Sequence, residues 1–191
     1  MAKKDSNLDD PIKCVIEVVK AAFEGKSQAE IAEKPVIEKK NLMEYEGKMR
    51  VVGMDAFNEP TYIVTVSFYL SAKAQASHLS CGAFVFYLKQ AGAEDLLKSL
   101  GYREAEEENE PSMLKGCGEF CKTLVQKFIA SLREKGYVEL LASPPEAYRN
   151  SVPFGIDFSL DQFELGRTIF SLKGSKTMVV DITMGFIPRS K

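Results

Sequence analysis

The first part of the chain alternates apolar and polar residues with the three- and four-residue spacing of one helix face. After the start signal that ends at Pro11, apolar side chains recur from Ile12 to Phe23, and Gly25 ends the pattern. This spacing predicts a first amphipathic helix. The polar stretch that follows, to about Lys40, carries no predicted element.

β-Branched and aromatic residues then replace the helical spacing, which is typical of strands. We predict strands from Glu46 to Phe57, from Thr61 to Ser71 and from Leu79 to Lys89, with the Asn-Glu-Pro sequence at 58–60 turning between the first two. A short helix with several leucines on one face follows and ends at Gly101.

The clearest helical pattern runs from about Pro111 to Gly136, after an acidic loop at residues 103–110. Its apolar face is expected to contact a sheet and is formed by Met113, Leu114, Cys117, Cys121, Leu124, Val125, Phe128, Ile129 and Leu132. The opposite face is expected to contact solvent. It carries the polar stripe, which consists of Lys115, Glu119, Lys122 and Gln126.

The remaining sequence predicts strands that end in a hairpin. Strands are expected from Val138 to Ala142, from Phe154 to Leu160 and within residues 164–184, which fold back at Gly174-Ser175. No internal repeat or low-complexity linker separates these elements. We therefore expect a single domain over residues 1–191 with a flexible N terminus at residues 1–10. The expected fold class is α+β, with a layer of helices packed on a largely antiparallel sheet.

Composition narrows the classes of function. Of the 191 residues, 45% are hydrophobic, which suffices for one buried core. The 25 basic and 27 acidic residues leave a formal charge of −2, too small to attract nucleic acid or an anionic membrane. No segment has the length and apolar character of a signal peptide or a membrane span. We expect a soluble cytoplasmic protein whose cysteines are reduced.

Two short sequences resemble nucleotide-binding motifs, but neither has the neighbouring elements that such a motif requires. The Gly-Cys-Gly-Glu-Phe-Cys sequence at 116–121 has Cys121 where a dinucleotide fingerprint needs its third glycine, and no strand precedes it. The Glu-Gly-Lys-Ser sequence at 24–27 follows a helix, whereas a phosphate loop precedes one. We therefore predict no nucleotide and no other cofactor.

Catalytic triads and metal sites are not indicated either. His78 is the single histidine, and no Gly-x-Ser-x-Gly elbow accompanies it, so we expect it to be structural. Cys117 and Cys121 share a helical face, but that face is apolar and two further zinc ligands are missing. We predict no metal site.

The polar stripe allows two interpretations. It is either an ordinary helix surface with Lys–Glu ion pairs or a binding site. Gly116 and Gly118 favour a site, because each glycine destabilises a helix interior by about 1 kcal/mol relative to alanine. Their presence suggests that another group approaches this turn closely.

The sequence at 118–132, Gly-Glu-Phe-Cys-Lys-Thr-Leu-Val-Gln-Lys-Phe-Ile-Ala-Ser-Leu, resembles the long helix of the chemotaxis phosphatases CheX and CheC, which carries an E-x-x-N motif. The order of predicted elements before it supports the resemblance. So does the sequence at 153–172, which is similar to the closing strands of that family. The resemblance covers about residues 11–184 and implies a layered CheC-like fold.

The resemblance also implies a partner and site residues. In that family, the motif glutamate pairs with a lysine of a phosphorylated CheY-like response regulator, and the motif asparagine orients the water that attacks the aspartyl phosphate. Glu119 stands at the glutamate position and Lys122 at the asparagine position. Lys115 and Gln126 replace the small acidic or hydroxyl residue and the glycine of CheC-like versions. The motif is therefore degenerate, and a second E-x-x-N match at 106–109 is treated as coincidence because it lies in the acidic loop.

Three hypotheses remain open. In the first, the chain binds a CheY-like response regulator or another signalling protein through the polar stripe, with phosphatase activity lost or altered. In the second, it hydrolyses the aspartyl phosphate with Gln126 or another amide in place of the asparagine. In the third, it is a structural or ligand-binding module that reuses the fold. A homodimer is also expected, both from the resemblance and because the apolar final hairpin is expected to leave an exposed sheet edge.

Overall fold

The computed structural model describes residues 8–26, 29–174 and 176–190. Residues 1–7 of the predicted flexible N terminus lie outside this part of the chain. Leu8, in contrast, is buried in the core, directly before the first helix. No described helix combines the length and the apolar character that a membrane-spanning segment requires.

The two long helices form as predicted, α1 at Asp9–Phe23 and α5 at Glu110–Glu134. Gly25 and Gly136 follow them with φ of +73° and +86°, a left-handed conformation that glycine adopts at no steric cost. Asn109 caps the start of α5 by accepting a hydrogen bond of 3.2 Å from the Ser112 amide. The asparagine of the sequence at 106–109 therefore serves the helix start.

The described strands and the shorter helices are β1 (Val36–Asn41), β2 (Glu44–Tyr45), β3 (Lys48–Met49), α2 (Met54–Phe57), β4 (Thr61–Tyr69), α3 (Ala72–Ala76), β5 (Gly82–Lys89), α4 (Ala93–Ser99), β6 (Leu141–Ala142), β7 (Glu146–Arg149), β8 (Glu164–Leu172) and β9 (Lys176–Met184). Seven of these strands form an antiparallel sheet in the order β1-β8-β9-β5-β4-β6, and β7 also pairs with β4. β2 and β3 form a separate hairpin. The α+β prediction is confirmed.

The best-predicted strands are β4, β5 and the β8–β9 hairpin, which all lie inside the sheet. In the predicted hairpin turn, Gly174 has a left-handed φ of +76°. The second turn residue, Ser175, lies outside the described residues. The strand predicted at 138–142 shrinks to β6, and β7 after it was missed. β1 was missed because it lies at the sheet edge and carries polar side chains without a clear two-residue alternation.

Two predicted strands were wrong. Residues 46–57 contain only the short β3, and α2 occupies the end of that range. Residues 154–160 form no strand, although Ile156 makes an isolated bridge with Met49. Both segments have strand-like composition because their apolar side chains cover one face of the sheet, where they are buried without joining it.

The two faces of the sheet are therefore covered by different parts of the chain. α1, α4 and α5 pack on one face, against alternate residues of the central strands such as Phe68, Phe86 and Val180. The irregular segments at 49–57 and 152–158 pack on the other face, against the intervening residues such as Ile63 and Val85. This alternation places α5 firmly on the sheet and leaves its outer side available.

The sheet edges differ from those assumed in the argument for a homodimer. β9 pairs with β5 on one side and β8 on the other, so the final hairpin does not expose an edge through its last strand. Among the described strands, the edges are β1 at one end and β6 with β7 at the other. The apolar sequence of β9 reflects its place inside the sheet.

Candidate functional site

The polar stripe lies on the outer side of α5, as its spacing predicts. Lys115, Glu119, Lys122 and Gln126 are all exposed. Most of the predicted inward residues are buried, namely Met113, Cys117, Cys121, Leu124, Val125, Phe128 and Leu132, whereas Leu114 and Ile129 are half-buried at the margins of the apolar face. The helical register derived from the sequence is confirmed.

Aromatic contacts fix this register. The ring of Phe128 lies 5.5 Å from that of Phe68 and 5.8 Å from that of Phe84, measured between centroids. One end of the helix is held by Phe120, whose ring makes edge contacts with Phe86 and with two further aromatic side chains. A rigid helix therefore presents the stripe.

A shallow groove runs beside the stripe, with a volume of about 350 Å³. We call it the α5 groove; it is lined by Leu114, Lys115, Gly118, Glu119, Lys122, Pro145 and Ala147. Three of the four stripe residues meet here, whereas Gln126 is not among the described residues that line the groove. The opposite wall comes from Ala147 of β7 and from Pro145 directly before it, which sequence reasoning missed because β7 itself was missed.

The two glycines of this helix turn have different roles. Gly116 is buried, and a Cβ there would lie 3.3 Å from both Ala105 Cβ and Leu97 Cδ1, so it allows close packing of α4 and the loop after it. Gly118 faces open space, since a Cβ there would meet no heavy atom within 4 Å. Gly118 thus leaves a bare stretch of helix at the α5 groove, which a partner can approach closely.

Of the charged residues in the polar stripe, some form an ion pair and others do not. Lys115 Nζ lies 3.2 Å from Glu104 Oε2 of the acidic loop, and this hydrogen bond together with the charges of Glu104 and Glu119 raises the pKa of Lys115. Among the described residues, no ion pair joins Glu119 to Lys122, and neither has another ion-pair partner. The Lys115–Glu104 pair is of the kind that an ordinary helix surface predicts, whereas the charges of Glu119 and Lys122 remain available at the groove.

The acidic loop is attached to the far wall of the groove. Glu110 Oε2 accepts a hydrogen bond of 2.8 Å from Arg149 Nη1 at the end of β7, and Arg149 Nη2 donates to Gln90 at 2.9 Å. These contacts hold β7 next to the start of α5. They help to fix the width of the groove.

The cysteines do not form a metal centre. Within the described residues, no group of three or more His, Cys, Asp or Glu side chains could hold a metal ion. Burial raises the pKa of Cys117 to about 12 and also raises that of Cys121, so both remain neutral thiols. They act as small apolar side chains under the stripe.

Comparison with known proteins finds similarity in structure alone. No family model matches the chain, and no curated protein matches its sequence. A CheX chemotaxis protein from Desulfovibrio desulfuricans superposes with a TM-score of 0.58 at 12% identity, over 92% of this chain and 99% of that one. A CheC-like superfamily protein from Shewanella sp. PV-4 gives 0.55 at 13% identity, over 91% and 96%.

FliY from Thermotoga maritima has the same architecture. It superposes with a TM-score of 0.60 at 13% identity, over 96% of this chain and 92% of FliY. The matches extend over nearly the whole of each chain, so this chain has the CheC-like fold. The resemblance inferred from the sequence is confirmed at the level of the fold.

Proposed function

We propose that this chain, whose fold is that of the CheX and CheC-like chemotaxis proteins, binds a CheY-like response regulator or a related signalling protein through the α5 groove. The observation that carries the proposal is the position of Glu119. It stands on an exposed, firmly anchored helix beside an open groove, and its carboxylate has no ion-pair partner among the described residues. Such a carboxylate can accept a lysine from a partner.

The proposed partner-binding residues are Lys115, Glu119 and Lys122, with Gly118, Pro145 and Ala147 forming the floor and the far wall. Gln126 stays at the periphery of this surface. The groove is small and shallow, which suits contact with a protein surface better than enclosure of a small ligand. A response regulator is cytoplasmic, so we place the proposed function there too.

We further propose that hydrolysis of the aspartyl phosphate is lost or much reduced. A water that attacks phosphorus in line must be held by a group that can accept and donate hydrogen bonds, as an amide can. The Lys122 ammonium has donors and no acceptor, so it cannot orient the water in this way. Its charge can still attract phosphoryl oxygens, which favours binding over turnover.

A dephosphorylation assay tests this proposal. The purified chain is expected not to accelerate loss of phosphate from phosphorylated CheY-like regulators of the same genome, whereas Lys122→Asn is expected to accelerate it by about tenfold, part of what a positioned catalytic group contributes. Phosphate release over time is the measurement. Lys127→Asn is the matched control, since Lys127 is exposed on the same helix but does not line the groove.

The second measurement is binding of the chain to phosphorylated regulators that are immobilised on a sensor. Gly118→Leu fills the open space in the groove and is expected to abolish binding, while Lys127→Leu leaves it unchanged. Robust hydrolysis by the wild type that survives Glu119→Ala would show that the reaction depends on other residues, or on a surface other than that of α5. Failure to bind any receiver domain favours the structural or ligand-binding module.

The alternative in which Gln126 supplies the catalytic amide has less support. Gln126 lies one helical turn beyond Lys122 and outside the α5 groove. Hydrolysis that depends on Gln126 and not on residue 122 would establish that alternative.

A homodimer remains a proposal, now on different grounds. Large apolar side chains are exposed where the segment at 185–186 packs against that at 159–161, namely Leu160, Phe163 and Phe186. A protein in water tends to cover such a surface. Light scattering at tens of micromolar is expected to give the mass of two chains, and Phe186→Ser to shift it toward one. A strictly monomeric wild type would contradict the proposal.

A further inference from the structure

One carboxylate on the side of the sheet opposite α5 gathers several donors. The side chain of Asp157, of which only 12% is exposed, accepts hydrogen bonds from His78 Nδ1 and Tyr69 Oη, both at 2.9 Å, and from Lys48 Nζ. Its backbone carbonyl accepts a further one from Ser67 Oγ at 2.8 Å. Asp157 thereby joins β3, β4 and the loop after α3.

These contacts keep Asp157 ionised. Burial alone would raise its pKa, but the hydrogen bonds from Lys48, His78 and Tyr69 outweigh it, so the pKa of Asp157 is lowered. An ionised carboxylate can only accept hydrogen bonds, so the Nδ1 atom of His78 must carry a proton. In the neutral ring, the lone pair then lies on Nε2.

His78 is also placed where this lone pair can react. Its side chain is 74% exposed even though Nδ1 is held by a mostly buried group. Its backbone has φ of +54°, a left-handed conformation that is uncommon outside glycine and that histidine adopts more often than most other residues. An exposed ring whose Nδ1 proton is fixed by a mostly buried carboxylate has the arrangement of a nucleophilic histidine.

We propose that His78 Nε2 is a nucleophile that accepts a phosphoryl group from a small anionic phosphoryl donor. Nε2 attacks the phosphorus of phosphoramidate in its zwitterionic form, whose nitrogen carries three protons; the new N–P bond forms as the donor's P–N bond breaks, and neutral ammonia leaves with that electron pair. The ring becomes a phosphorylated imidazolium whose Nδ1 proton stays on the hydrogen bond to Asp157. The carboxylate stabilises the positive charge that develops on the ring.

The surroundings favour an anionic donor. Lys48, which shares Asp157 with His78, also lines a cavity of about 580 Å³ together with Glu46, Arg50 and Ser151, and it connects this cavity to His78, which is not among the described residues that line it. Its volume is in the range of small-ligand sites. Among the described residues, Arg50 has no ion-pair partner, so its cation is available to phosphoryl oxygens. The site shares none of its residues with the α5 groove, so it stands or falls independently of the proposed function.

The test uses the full chain and potassium phosphoramidate. Acid-labile phosphate is followed by phosphorus NMR and its position by mass spectrometry, and because the chain has a single histidine the assignment is unambiguous. We expect the native chain to be labelled at His78 about tenfold faster than the same chain in urea, the size of effect that a carboxylate partner of a histidine commonly has. His78→Gln should carry no acid-labile label.

Two variants isolate the carboxylate. Asp157→Asn should label about tenfold more slowly, because an amide neither fixes the Nδ1 proton nor stabilises the cation. Asp161→Asn changes a nearby carboxylate that does not contact His78 and should label like the wild type. If Asp157→Asn does not fold, the comparison of native and unfolded wild type decides alone. Equal rates in those two states, or a label that persists in His78→Gln, would overturn the proposal.

Discussion

Replacing Arg167 with alanine is expected to lower the free energy of unfolding by about 3–5 kcal/mol, the cost of leaving one partner of a buried ion pair uncompensated. Arg167 faces Asp181 across β8 and β9 and donates to its carboxylate from Nε at 2.7 Å and from Nη2 at 2.6 Å. Its Nη1 donates to the Asp55 carbonyl of α2 at 2.7 Å. The substitution would strand a carboxylate that is 2% exposed.

Urea unfolding followed by circular dichroism measures this loss. Replacing both charges, with Arg167→Met and Asp181→Leu together, is expected to recover most of it, because a buried pair is often no more stable than apolar side chains of similar size. Lys98→Ala is the control, since Lys98 forms an ion pair with Glu94 at the surface and contributes little. A loss at Arg167 no larger than that at Lys98 would show that water reaches this cluster.

Replacing Phe128 with alanine is expected to destabilise the protein by a similar amount, about 3–5 kcal/mol, because the substitution leaves a cavity that its neighbours cannot fill. Phe128 is fully buried between α5 and the sheet, in contact with Phe68 and Phe84. Phe154→Ala makes the same chemical change at a ring that is 89% exposed and should cost no more than about 0.5 kcal/mol.

The Phe128 substitution also tests how the site is held. Phe128 is not among the described residues that line the α5 groove, yet it positions the helix that carries Glu119. We expect regulator binding by Phe128→Ala to weaken at temperatures at which the variant is still folded. Full stability and unchanged binding would show that α5 is anchored mainly through its other end, around Phe120.

Sequence patterns predicted the elements whose side chains repeat on a regular period. α5 has one apolar face over its whole length, and β9 is rich in apolar residues and buried from Met178 to Met184 because both of its faces are covered. β1 gave no such signal, since an edge strand needs neither face fully buried. Residues 46–57 were wrongly predicted to form a strand, because residues that are buried against the sheet are apolar whether or not they form a strand.

The residues of the candidate site likewise differ in whether a local sequence pattern predicts them. Helical spacing predicted which side chains of α5 face outward, and Glu119 and Lys122 were found by it. Pro145 and Ala147 could not be found, because the far wall exists only through the pairing of β7 with β4, which are distant in sequence. The His78–Asp157 contact joins residues 79 positions apart and likewise has no local pattern.

The central place of β9 has a consequence for the synthesis of the protein. β5 and β8 are made first, but neither pairs with the other, and each has one side that only β9 can satisfy. Until β9 has left the ribosome, the nascent chain therefore exposes two unpaired strand edges. Such edges can pair with other chains and cause aggregation. Completion of the sheet also requires contacts between distant parts of the sequence, which slows folding. We expect the newly made chain to depend on chaperones most strongly in this interval.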